Sequence, residues 1–170
     1  MAFGIDVLKN NLTNPARAYL FDVIFPIPMG GGDTETLMLR CQAASIPTVG
    51  VGEIKVPYKQ TAGTKYHGKV TMDQTWALTF IEGEDKAIFQ EFYNWIKKVV
   101  DPKSGIGTPD PDVKTDVILS LRTTADQEYL KLKLRGAWVE KIGPVDLAMD
   151  TETPIRLPVT LAYDYWEQLT

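Results

Sequence analysis

Alternation of apolar and polar positions dominates this chain, and one stretch breaks it with helical spacing. Tyr19, Phe21, Val23 and Phe25 fall on one face of residues 19–27, which predicts a first strand. Pro26, Pro28 and Gly30-Gly31-Gly32-Asp33 predict a turn. Residues 37–42 read as a short second strand that forms a hairpin with the first. Trp76, Leu78 and Phe80 put large groups on one face, so that run should sit on the core. Then Ile88, Phe89, Phe92, Trp95, Ile96 and Val99 recur at helical spacing. Glu84 and Asp85 suit the start of a helix over 85–100, Lys97 and Lys98 its end, and Asp101-Pro102 stops it. The polar face of that helix mixes both charges, which suits packing across a sheet rather than a membrane surface. Residues 101–115 hold three prolines and two glycines and read as an exposed linker.

Beyond the linker, Val117, Leu119 and Leu121 alternate over 115–121. Leu130, Leu132 and Leu134 alternate against Lys131, Lys133 and Arg135 over 129–136. Ala125-Asp126-Gln127 joins the two as a hairpin, and 137–142 extends the second strand past a bend at Gly136 until Gly143-Pro144 ends it. A last strand covers 155–166. Residues 1–18 are a polar arm. The pattern predicts one domain, mainly antiparallel β, a barrel or sandwich with one α-helix.

The chain is organised around residues 46–80. A Pro/Gly entry leads to an extended run over 53–60, Thr61-Ala62-Gly63 reads as a turn, and 64–80 returns without a proline. Ile54, Val56 and Tyr58 point one way, Glu53, Lys55 and Lys59 the other. On the return arm Tyr66, Val70 and Met72 share a face with Gly68, opposite Lys65, His67, Lys69, Thr71 and Asp73. Eight extended residues span on the order of 25 Å, more than the roughly 15 Å radius of a small domain, so part of the hairpin should project. Its unpaired edges invite another chain. Two readings stay open from the residues alone: completion of a sheet with a neighbouring subunit, or a hairpin folded flat on its own domain.

Acidic residues outnumber basic ones, 22 to 18, in 170 residues, which argues against a protein gripping nucleic acid by its phosphates. One cysteine, Cys41, excludes an internal disulfide and leans cytosolic. Residues 1–12 lack the basic start and apolar centre of a signal peptide, and no apolar run approaches the roughly 18 residues of a membrane span. Little points to catalysis. His67 stands among lysines with no Cys/His companions and no nucleophile at useful spacing. Gly30-Gly31-Gly32 lacks the ending of a phosphate loop. Asp146, Asp150 and Glu152 read as a solvated loop or a cation site. Trp76, Trp95, Trp138 and Trp166 read as core or interface. Tyr163-Asp164-Tyr165-Trp166-Glu167 either closes the barrel seam or meets a neighbour. No cofactor or metal is expected.

Four places in order carry a resemblance across nearly the full length: Asn14-Pro15 with Leu20-Phe21-Asp22-Val23, the segment Arg40-Cys41-Gln42-Ala43-Ala44-Ser45-Ile46-Pro47, Trp76-Ala77-Leu78-Thr79-Phe80 with Phe89-Gln90-Glu91-Phe92-Tyr93-Asn94-Trp95, and the ending 159–167. In these the chain resembles the tail tube proteins of contractile-tailed bacteriophages. The resemblance implies a virion structural protein, assembled in the host cytoplasm, whose hexameric rings join their strands into an inner β-barrel and stack inside a sheath. It implies partners: further copies of itself, the tail sheath protein, baseplate and tail-terminator proteins, and the tape-measure protein and double-stranded DNA in the lumen without specific binding. The hairpin and the N-terminal segment would bridge rings. That makes Val51, Glu53, Lys55, Tyr58, Lys59, Lys65, Tyr66, His67, Lys69, Asn14, Arg17 and Trp166 the candidate contacts between subunits and rings. One departure stands out: family lumens tend to be acidic, whereas this hairpin carries four lysines, so acidic groups of neighbours should meet them. Two other readings are the tube of a phage-derived secretion or extracellular injection system, and a small-ligand-binding β-barrel.

Overall fold

In the computed structural model the described residues, 4–12 and 14–170, form α1 (Ile5–Leu12), β1 (Phe21–Ile24), α2 (Thr34–Arg40), β2 (Cys41–Ala44), β3 (Gly50–Tyr58), β4 (Thr61–Thr71), β5 (Thr75–Ile81), α3 (Ala87–Val99), a 3-10 turn (Asp110–Asp112), β6 (Thr115–Arg122), β7 (Glu128–Ile142), β8 (Arg156–Ala162) and β9 (Tyr165–Leu169). The class is mainly β, and every pairing is antiparallel. Seven strands run in the order β1-β6-β7-β8-β5-β2, with β9 also on β7, while β3 and β4 pair only with each other. The two edge strands, β1 and β2, approach each other around a hollow lined by Phe21, Leu119 and Ala44. The sheet therefore curls into an open barrel.

β7 makes that curl possible. Its apolar face is built from Leu132 and Leu134, and then, after Gly136, from Ala137 and Val139, so the alternation slips by one residue. Opposite, β6 advances from Thr115 to Val117 while β7 covers 134–137. The extra residue is a bulge, and Gly136 takes it with φ +65°. The first half of β7 then pairs β9 and the second half β8. The slip keeps the apolar face inward through the corner, which an unbroken strand would have turned outward. A Cβ at Gly136 would stand 2.2 Å from Asp164 Oδ2, where the chain turns between β8 and β9. The last strand expected over 155–166 is accordingly two strands, broken at Tyr163-Asp164. There Asp164 N–H donates to the Arg135 carbonyl (3.0 Å).

α3 lays Ile88, Phe92 and Trp95 into the core against Phe25 and Phe80. The Phe80 and Phe92 ring centres lie 5.1 Å apart, and those of Phe25 and Phe92 6.0 Å apart. Trp76, Leu78 and Phe80 are buried as the alternation requires. The helix begins two residues later than its acidic flank suggests, because Lys86 is left-handed (φ 51°) and Glu82 caps from a distance. The Glu82 carboxylate accepts from Phe89 N–H (2.6 Å) and Ile88 N–H (3.3 Å).

Three helices, not one, stand among the described residues. The strand expected over 37–42 is α2 followed by β2. Asp33 is the reason: its carboxylate accepts from Thr36 N–H (3.0 Å) and caps a helix that buries Leu37 and exposes Leu39. The hairpin expected between the first two strands does not form, since β1 pairs β6 and β2 pairs β5. β1 is shorter than 19–27 because Pro26 offers no donor, and Tyr19 lies outside it, exposed. The polar arm contains α1; residues 1–3 and Thr13 of that arm lie outside the described residues. The linker over 101–115 is only partly exposed. Val113 is buried, and its carbonyl accepts from Trp95 Nε1 (2.8 Å).

The glycine run before α2 has a packing role. Glu91 on α3 is 3% exposed and accepts from the N–H groups of Gly30 (2.7 Å) and Gly32. A Cβ at Gly30 would stand 1.9 Å from the Glu91 carbonyl oxygen, and one at Gly32 2.6 Å from Oε2. Asn94 and Lys98, on the same side of α3, donate to the carbonyls of Gly30 and Met29. Burying this charge is tolerable because both carboxylate oxygens are satisfied.

Candidate assembly surface

β3 and β4 form a two-stranded ribbon whose residues are exposed along almost the whole of both arms. Its turn is Lys59-Gln60, two residues earlier than Thr61-Ala62-Gly63. Lys59 takes a left-handed φ of 47°, and Thr61 Oγ1 donates back to the Tyr58 carbonyl (2.7 Å). Gly63 (φ +72°) is instead the extra residue of a bulge, packed so closely that a Cβ would meet the Val56 carbonyl oxygen at 2.3 Å. The return arm is not continuous to residue 80. It ends at Thr71, and Gln74 (φ 56°) swings the chain into β5 and the main sheet.

Between the bulges the register sets Ile54 opposite Tyr66 and Val56 opposite Thr64, which gives an apolar face with none of the described residues over it. The reverse face pairs Glu53 with His67 and Lys55 with Lys65. Glu53 reaches both lysines, 2.9 Å from Lys55 Nζ and 2.7 Å from Lys65 Nζ. Lys65 first and then Lys55 hold its carboxyl below the usual carboxylate range. A second register slip falls between Val51 and Glu53, where two residues of β3 face three of β4. It puts Val51 opposite Val70 and interrupts the alternation that would have carried Val70 onto the face of Tyr66. At the tip Tyr58 is 61% exposed, with Lys59 Nζ 5.4 Å from its ring centre.

The remaining candidates lie elsewhere. Asn14 Nδ2 donates to Thr124 Oγ1 (3.1 Å) at the β6–β7 turn, and Arg17 donates to the Tyr19 hydroxyl (3.0 Å). Trp166 Nε1 donates to the Thr48 carbonyl (3.1 Å). That indole holds the hairpin root to β9 within one chain, so the C-terminal aromatic segment acts first as an internal tether. α1 escaped the sequence reading, although Ile5, Leu8 and Leu12 are spaced along one side of a helix and all three are exposed. Among the described residues no three His, Cys, Asp or Glu side chains are placed to hold a metal ion. Among the described residues, too, no helix is long and apolar enough to cross a membrane.

A family model described as phage tail tube protein matches residues 13–169. The chain belongs to that family. Its fold is similar to a chain of the anti-feeding prophage tube-terminating cap, at 18% identity and TM-score 0.66, over 92% of this chain and 91% of that one. It is likewise similar to a chain of the sheath–tube complex of an extracellular contractile injection system, at 14% identity and TM-score 0.62, over 99% of both chains. The sheath/tube terminator of such a system gives 16% identity and TM-score 0.66, over 92% of this chain and 97% of that one. No curated protein matches. For a tail tube protein, the curled sheet with α3 across it is the body, and the β3–β4 ribbon is an appendage whose apolar face lacks a partner within the subunit.

Proposed function

We propose that this tail tube protein is the inner-tube subunit of a contractile phage tail, in which six copies close a ring and rings stack into a channel for genome delivery. The observation that carries the reading is the bare β3–β4 ribbon: Ile54, Val56, Tyr58 and Tyr66 are exposed on a subunit whose core is otherwise filled. A lone ribbon of this kind is marginal in water, and closure of a ring removes its free edges. The role is structural rather than catalytic. The partners are further copies, the sheath, baseplate and terminator proteins around them, and tape-measure protein and DNA passing through the lumen without specific contacts. Its place is the virion tail, reached by assembly in the host cytoplasm. Val51, Glu53, Lys55, Lys65, His67 and Lys69 of the ribbon, with Asn14 and Arg17, make contacts between subunits and rings.

Fold likeness to injection-system tubes favours one rival, a tube that carries no genome. Portal and capsid genes beside this one support the phage reading, and their absence beside a sheath gene supports the rival. The tube itself is tested by negative-stain imaging of the purified chain. Hollow filaments of uniform width are the expected result, whereas monomers that persist at high concentration overturn it.

A further inference from the structure

The β3–β4 ribbon joins the body through two single segments, 45–49 on the way out and 72–74 on the way back, and neither pairs in a sheet. β3 and β4 pair only with each other, so no ladder bond braces the ribbon against the main sheet. Each residue of such a junction brings two soft dihedrals. The ribbon is about 25–30 Å long, so a swing of roughly 10° at its root would carry the tip by about 5 Å.

Side chains of the body hold the junction instead. On the outgoing segment Trp76 Nε1 donates to the Ser45 carbonyl (2.6 Å) and Trp166 Nε1 to the Thr48 carbonyl (3.1 Å). On the returning segment the Gln74 carbonyl accepts from Tyr163 N–H (3.0 Å), and the Gln74 side-chain amide donates to the Asp164 carbonyl (2.9 Å). These two bonds fix Gln74 in its left-handed conformation (φ 56°), which a residue other than glycine adopts only when its surroundings impose it. Tyr163, Asp164 and Trp166 all belong to the corner between β8 and β9. That corner is itself braced. The Asp164 carboxylate lies 3.1 Å from Lys114 Nζ, and Asp164 N–H donates to the Arg135 carbonyl. Tyr163 is buried, and the Trp166 ring packs on the core, so its N–H direction is set.

We infer that the β8–β9 corner is a clamp that fixes the direction in which the ribbon leaves the body before another copy is met, with Trp166 as its deciding positioning residue. The Trp166 bond ties the outgoing segment to the same corner that grips the returning one. Trp76 acts three residues farther back, at Ser45, and leaves Thr48 free to turn. The inference rests on the tube reading for its consequence: a ribbon aimed in advance loses less freedom when subunits join.

Pulsed electron spin resonance on the full-length, unassembled subunit tests it. Nitroxide labels at Val70→Cys and Arg156→Cys, in a Cys41→Ala background, report the angle of the root. Val70 lies on the root side of the second register slip, and Arg156 lies at the far end of β8. The parent should give one narrow distance distribution. Trp166→Phe keeps an aromatic ring but removes the donor, and should widen that distribution about two-fold. Gln74→Met removes the other side-chain donor away from the core and should widen it in the same direction, which keeps the test open if Trp166→Phe does not fold. Sedimentable tube should fall about five-fold or more in either variant. A distribution as narrow in both variants as in the parent, or already broad in the parent, overturns the inference. Loss of unfolding stability without widening also overturns it, as does a normal tube yield from a widened variant. The distance is read on the subunit, so it decides the clamp separately. Failure of the unaltered chain to form filaments overturns the tube reading and leaves a narrow parent distribution standing.

Discussion

Two antiparallel strand pairs in this chain have similar lengths and opposite fates. In β6–β7 one face carries Val117, Leu119, Leu132 and Leu134, all buried under α3 and the facing strands. Its other face is a lattice of ion pairs: Asp116 lies 3.1 Å from Lys133 and 2.9 Å from Arg135, and Arg135 in turn reaches Glu167. In β3–β4 one face carries Ile54, Val56 and Tyr66 and the other a glutamate bridging two lysines, yet neither face is covered. The two pairs have the same alternation and the same pairing chemistry. They differ in what lies above the apolar face. Alternation reports that a face is meant to be buried; it does not report whether the burying group belongs to the same chain.

The sharpest way to break that contrast is to remove the cover from the first pair. Phe92 is fully buried and touches Phe25, Phe80 and Trp95. Phe92→Ala should cost about 3–5 kcal/mol in urea unfolding. Truncating Ile54 to Ser on the ribbon should change subunit stability by no more than about 0.5 kcal/mol. Comparable losses at the two sites would erase the distinction.

A smaller effect tests how the helix is fixed over the sheet. Glu91→Gln keeps the shape of the side chain but turns an amide donor toward the N–H of Gly30 or Gly32. One buried N–H then goes unpaired, at a cost of about 1–3 kcal/mol measured by the same unfolding experiment. Unchanged stability would mean that the glycine loop is held by Asn94 and Lys98 alone.

The smallest effect concerns pH. Arg40 binds Asp85 through two hydrogen bonds, 2.8 and 2.6 Å, and holds its carboxyl down at about 2. A folded value below the unfolded one stabilises the fold above roughly pH 4, and that contribution is lost as pH falls toward 2. Asp85→Asn should therefore lower the melting temperature slightly at pH 7 and by clearly less at pH 2. A gap that stays constant with pH would show that the bridge between α2 and the start of α3 contributes nothing, as many exposed pairs do.

The elements that read well from sequence are those whose apolar face is covered within the chain. The stripe of α3, the inward set Trp76, Leu78 and Phe80, and the bend at Gly136 all follow from period and punctuation. The misreadings have local causes. At α2 the capping role of Asp33 was hidden behind a glycine run that itself reads as a turn, and two leucines two apart mimic a strand. The true role of those glycines depends on Glu91, some sixty residues away, and no local pattern announces it. Both bulges of the ribbon depend on how β4 slips against β3, and residue spacing on one arm does not reveal it. The tether from Trp166 to Thr48 is likewise a long-range contact, between the C-terminal aromatic segment and the Pro/Gly entry of the hairpin, and the spacing within either segment does not announce it.

Limited trypsin digestion of unassembled subunit and assembled tube, at equal protease ratio with cut sites read by mass spectrometry, tests the central claim most directly. Lys131 and Lys133 on the covered pair serve as the internal reference and should resist in both forms. Lys55, Lys59, Lys65 and Lys69 on the bare pair should be cut within minutes in the subunit and protected in the tube, because local stability follows buried contacts. Equal resistance of the ribbon lysines in both forms would mean that the ribbon is already packed on its own body, and the account would fail.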